Sequence, residues 1–165
     1  AESEYDSDPL GLISRLYLSP QSPRQAPTVT DSARSAGGFI GRLGAPTGLP
    51  DWLSQDDLNY VVSEFETSGF RGGVNYYRNF HRNWEITDDL SDTKVVVPAL
   101  FVAGERDVVI AGATQEQLMG SMGRVVDDLR GVFLLPDIGH WVQQEAPDEV
   151  NQIISDFLTE INIIP

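Results

Sequence analysis

The sequence contains no cysteine and only two histidines. Disulfides and thiolate chemistry are therefore excluded, and too few soft ligands remain to favour a structural zinc site. Basic residues are also scarce: 11 Lys and Arg stand against 25 Asp and Glu, for a formal net charge of −14. Such a chain is repelled by nucleic acid and by anionic membrane surfaces, so neither is expected as a partner. No apolar run reaches 18 residues and no signal-peptide pattern is present, which leads to the expectation of a soluble cytoplasmic protein. The chain begins Ala1-Glu2-Ser3 without an initiator methionine, so it is expected to start inside a longer reading frame. What is present is ordinary globular usage over 165 residues, 41% hydrophobic and 22% charged, enough for a domain with a core.

The first half reads as helices separated by one long irregular stretch. Asp8-Pro9, followed by Leu10, Leu12, Ile13, Leu16, Tyr17 and Leu18, has the form of an N-cap and a first-turn proline, with the helix ending near Ser19-Pro20. From Pro20 to Pro50 the chain is rich in Pro, Gly, Ser, Thr and Ala and is expected to be a loop. Ser54, with Asp57 three residues on, starts a helix whose apolar face is Leu58, Val61, Val62 and Phe65, stopped by Ser68-Gly69. Gly72-Gly73 opens a third helical pattern in which Tyr77 and His81, or Tyr76, Phe80 and Trp84, share faces.

The second half changes character. Val95 to Ala103 is nearly continuous apolar sequence, as a strand buried on both faces requires, and Gly104-Glu105-Arg106-Asp107 ends it. A helix follows around 111–122, then a short strand from Gly131 to Leu135, then a helix from Pro147 with Val150, Ile153, Ile154, Phe157, Leu158 and Ile161 inward. Strand, helix, strand, helix implies parallel pairing through a right-handed crossover, hence an α/β fold. Two parallel strands alone leave apolar faces and edges open, so the sheet is expected to be incomplete in this chain and completed by polypeptide from elsewhere.

Chemistry concentrates at the ends of those strands. Asp107 follows the first, and Asp137-Ile138-Gly139 turns the chain after the second so that His140 lies on a loop at the same rim. An acid there can accept the imidazole Nδ1–H, fix its tautomer and stabilise the imidazolium formed when it takes a proton. The order acid, helix, histidine fits the α/β-hydrolase order, yet no G-x-S-x-G or G-x-D-x-G nucleophile elbow occurs. Structural alternatives stand beside each residue: a capping or turn carboxylate for Asp107, a satisfied side chain for His140, and aromatic packing for Tyr76 and Tyr77.

Three stretches, FRGGVNYYRNFHRNW (Phe70 to Trp84), PALFVAGERD (Pro98 to Asp107) and IGHWVQQEAPDEVN (Ile138 to Asn151), resemble the carboxyl-terminal half of soluble, bacterial-type epoxide hydrolases of the α/β-hydrolase fold. The YRN-x-x-RNW block is the most specific part. The resemblance implies a helical cap segment over 1–93, with the loop at 20–50 inside it, and a core segment over 94–165. It implies hydrolysis of an epoxide to a vicinal diol without cofactor or metal. In that family a cap tyrosine polarises the epoxide oxygen, an aspartate forms an alkyl-enzyme ester, and a histidine oriented by a second acid activates the water that cleaves it. Carried over, Tyr77 matches the tyrosine, Asp107 the orienting acid and His140 the base, while Trp141, Phe80, Val108 and Tyr76 are candidates to line an apolar substrate pocket. A phenol can donate a hydrogen bond to an opening epoxide at pH 7, and a neutral imidazole can accept a proton from water. The nucleophilic aspartate and the His-Gly-x-Pro oxyanion segment are not found, so the chain alone is expected to lack the first step. The expected partners are a small apolar epoxide, water and the missing amino-terminal half, with a second copy of the chain as a further candidate. A haloalkane dehalogenase or another α/β-hydrolase is the rival within enzymes, and a noncatalytic binding fragment is the rival outside them.

Overall fold

The computed structural model describes residues 1–31, 37–90, 92–110 and 112–162. They divide into two units, Ala1–Asp88 and Asp89–Pro165. Part of the expected loop at 20–50, namely 32–36, and the first residue of the helix expected around 111–122 lie outside the described residues.

Polar side chains set the boundaries of the first unit. Helices α1 (Glu2–Ser7) and α2 (Pro9–Leu16) meet at Asp8, whose carboxylate accepts the Gly11 N–H at 2.9 Å with Pro9 in the first helical turn. Helix α2 stops at Leu16, earlier than the sequence pattern suggests, because Tyr17 leaves helical geometry. Helix α1 has no apolar stripe to announce it. Its acids tie it down instead: Glu4 accepts the Ile40 N–H at 2.9 Å and Asp6 accepts the Phe70 N–H at 2.8 Å. Among its described residues, the stretch up to Pro50 carries a 3₁₀ turn, Ile40–Arg42, and an isolated antiparallel bridge between Arg24 and Pro46.

Helix α3 (Gln55–Ser68) starts with a complete capping box between Ser54 and Asp57 and ends at Gly69, whose φ of 67° suits a residue without Cβ. Leu58 and Val62 from α3 join Leu12, Ile13, Leu53 and Phe70 in one buried cluster, and Phe65 stacks on Phe70 at 4.3 Å. The third helical pattern forms two helices rather than one, α4 (Arg71–Arg78) and α5 (Phe80–Ile86). Asn79 marks the break: its side-chain amide donates to the Asn75 carbonyl at 2.9 Å and shares that acceptor with its own backbone N–H, whose bond is longer at 3.2 Å.

In the second unit, strand β1 (Ala99–Gly104) pairs in parallel with β2 (Leu129–Leu135), from Leu100 opposite Gly131 to Gly104 opposite Leu135. Helix α6 (Gln115–Met122) makes the crossover, opened by a second capping box between Thr114 and Gln117. Helices α7 (Val142–Glu145) and α8 (Pro147–Glu160) follow. Val132 is almost wholly buried, with Ala103, Val126, Val142, Ala146 and Val150 completing the core of this unit.

The valine triplet is not strand. Pro98 has no N–H for the ladder, so Val95 makes only an isolated bridge to Val126 and β1 begins after the proline. Val96 and Val97 are 72% and 62% exposed, and Phe133 on β2 is 40% exposed. Among the described residues the sheet has these two strands alone, an incomplete α/β sheet with apolar surface in the open. No described helix is long and apolar enough to cross a membrane.

Two substitutions test this account by denaturant unfolding. Ser54→Ala should remove about 1 kcal/mol of stability through the lost cap. Gly104→Ala should remove about 1–3 kcal/mol, since its methyl group would collide with the carbonyl oxygens of Ile138 and Gly139. Unchanged stability in either variant would contradict the role given to that residue.

Candidate active site

The parallel register brings the ends of β1 and β2 level, and the loops that follow them are stitched together by the backbone. The Glu105 N–H donates to the Leu135 carbonyl and the Arg106 N–H to the Ile138 carbonyl, both at 2.9 Å. Gly104 permits this closeness, because a Cβ there would strike the Ile138 and Gly139 carbonyls. Asp137 turns the second loop with φ 62°, and its carboxylate pairs with the Arg106 guanidinium at 2.6 Å.

This frame sets Asp107 against His140. Both carboxylate oxygens of Asp107 lie 3.0 Å from His140 Nδ1. An ionised carboxylate only accepts, so this contact selects the tautomer of a neutral imidazole in which Nδ1 bears the hydrogen. The Asp107 side chain is 11% exposed and that of His140 is 51% exposed. The acid is thus held within the protein while the imidazole reaches outward. Asp107 is held further by the Val109 N–H, which donates to Oδ1 at 2.8 Å. Trp141 packs edge-on to the imidazole, with ring centres 5.3 Å apart.

Glu145 was not singled out by the sequence. Its two carboxylate oxygens accept the N–H groups of Gly139 and Trp141, each at 3.1 Å, the peptide donors on either side of His140. The available signal was an acid five residues beyond the histidine, where the following short helix could swing it back.

The remaining candidates lie in the first unit, apart from Val108. The rings of Tyr76, Tyr77 and Phe80 form a mutual edge-to-face trio, with centres 5.5–5.9 Å apart. All three are more than half exposed, so the trio presents aromatic surface outward rather than filling a core. Arg78, beside Tyr77, anchors α4 to α1 through an ion pair with Glu2 at 2.6 Å. Burial, then the nearby Glu4 and Tyr77, raises the Tyr5 phenol above its ordinary pKa. Val108 is 83% exposed beside Asp107. The structure therefore groups Asp107, Val108, His140 and Trp141 in one unit, and Tyr76, Tyr77 and Phe80 in the other. No metal-competent cluster of His, Asp and Glu exists among the described residues.

No protein-family model matches the chain. It is 37% identical over 164 residues to epoxide hydrolase A of Mycobacterium tuberculosis, covering 99% of this chain and 50% of that protein. It is 31% identical over 162 residues to epoxide hydrolase 1 of Siraitia grosvenorii, covering 97% of this chain and 49% of the relative. Among solved structures, epoxide hydrolase A from Mycobacterium thermoresistibile matches with a TM-score of 0.78 at 37% identity, over 96% of this chain and 48% of that one. The chain thus spans about half the length of the relatives it matches.

Asp107→Asn should leave the fold intact but release the imidazole from a single tautomer, because an amide can present either a donor or an acceptor to Nδ1. Nitrogen-15 NMR of the neutral ring should show Nδ1–H in the parent and a mixture in the variant. An unchanged tautomer would contradict the orienting contact.

Proposed function

The chain belongs to the α/β-hydrolase-fold epoxide hydrolases, about half of whose length it spans, and on that premise we propose that it supplies the base, its orienting acid and the electrophilic tyrosine for hydrolysis of an epoxide to a vicinal diol. The observation that carries the proposal is His140 Nδ1 facing both oxygens of Asp107 at 3.0 Å, on loops that follow adjacent parallel strands.

A carboxylate nucleophile and an oxyanion hole belong to polypeptide outside Ala1–Pro165. The apolar surface left open at Val96, Val97 and Phe133 supports such a complement. The nucleophile attacks a ring carbon, the carbon–oxygen bond opens, and the oxygen takes the phenolic proton of Tyr77 as an alkyl-enzyme ester forms. His140 Nε2 then removes a proton from water as the water oxygen attacks the ester carbonyl. Asp107 stabilises the imidazolium formed in that step. Collapse of the tetrahedral species releases the diol and restores the carboxylate. The imidazolium proton passes to the departing alkoxide oxygen, and the second proton of the water, left on the carboxyl group, passes to the Tyr77 phenolate, so that carboxylate, imidazole and phenol are all restored. Trp141, Val108, Phe80 and Tyr76 supply apolar surface suited to a small epoxide.

Two variants separate the steps in the protein that carries this chain at its natural length. His140→Ala should let the ester accumulate, visible as a mass increase equal to the substrate, with its hydrolysis slowed about 10²–10⁴-fold. Tyr77→Phe should slow ester formation by a comparable factor and leave its hydrolysis nearly unchanged. Equal, small effects of both variants on both steps would contradict the assignment.

A further inference from the structure

The imidazole of His140 is half exposed, so packing alone does not fix where it stands. Its backbone is held instead from both sides by one carboxylate. Glu145 Oε2 accepts the Gly139 N–H and Oε1 accepts the Trp141 N–H, each at 3.1 Å. The Glu145 N–H in turn donates to the Trp141 carbonyl at 2.8 Å, closing a ring of hydrogen bonds across the first turn of α7. Buried Val142 and Ala146 hold that turn against the core, so the carboxylate acts from a fixed support.

The geometry points to Glu145 as a positioning residue for His140. It spans the peptide groups before and after the histidine, and so fixes the Cα from which the imidazole must reach both Asp107 and the water. The Arg106–Asp137 pair and the Arg106 N–H bond to the Ile138 carbonyl secure the same loop as far as Ile138, and the Glu145 clamp takes over at Gly139 and Trp141. This assignment rests on the reading of His140 as the base. It adds a claim that a capping role alone would not make: loosening the clamp should impair the step that uses the imidazole and spare the step that does not.

Glu145→Gln keeps the size of the side chain but turns an amide NH₂ toward one of the two N–H donors, so one bond is lost. Glu145→Asp keeps the charge on a shorter arm that can reach only one donor. In the protein at its natural length, with styrene oxide as probe, both variants should form the alkyl-enzyme ester within about twofold of the parent rate. Ester hydrolysis should fall by up to about 10²-fold, as expected for a misplaced catalytic group. Amide exchange at Gly139 and Trp141 should quicken in step. If Glu145→Gln does not fold, the same three measurements on Glu145→Asp decide. Ester hydrolysis at the parent rate, or equal loss in both steps, would overturn the positioning role while His140→Ala still stalls at the ester. If His140→Ala hydrolyses the ester as fast as the parent, the reading of His140 itself falls, and Glu145 with it.

Discussion

Parallel pairing of Ala99–Gly104 with Leu129–Leu135 is the constraint on which the rest of the second unit depends. Parallel strands with one crossover helix end at the same rim, so residues remote in sequence leave the sheet side by side. The approach is closer than the ladder alone requires. Gly104 lets the Ile138 and Gly139 carbonyls pass over β1, and from that crossing come the Arg106 hydrogen bond, the Arg106–Asp137 pair and the Asp107–His140 contact. Each is modest by itself. Together they hold a half-exposed imidazole whose own side chain is poorly packed.

The same pairing leaves a debt on the other side. A two-stranded parallel sheet cannot cover its faces, and Phe133 on β2 stays exposed, as do Val96 and Val97 in the segment just before β1. In the first unit the Tyr76, Tyr77 and Phe80 trio likewise turns aromatic surface outward, although the buried cluster around Leu12, Leu58 and Phe70 beneath α3 needs no such help. Surface of this kind is suited to a complementary polypeptide or to a ligand.

Features set by local chemistry were legible in the sequence. Ser54 with Asp57, and Asp8 with Pro9, mark helix starts because the side chains involved satisfy N–H groups only a few residues away. The nearness of Asp107 and His140 followed from two apolar runs separated by one helix, since topology leaves few ways to arrange them. Features set by competition were not legible. At Asn79 the side-chain amide and the backbone N–H both draw on the Asn75 carbonyl, and β1 begins after Pro98 because one missing donor outweighs three β-branched residues. Helix α1 and Glu145 were missed for a related reason: their acids act on distant or looped-back backbone donors, and no periodicity in the sequence records such bonds.

As proposed above, His140 acts as a base whose carboxylate nucleophile lies outside residues 1–165. A single turnover of an epoxide in oxygen-18 water tests it directly. Attack of labelled water on an ester carbonyl leaves the diol unlabelled and places the oxygen-18 in a carboxylate of the enzyme. The account predicts that label on a peptide outside this chain. Oxygen-18 in the diol of the first turnover, or in a carboxylate within Ala1–Pro165, would contradict it.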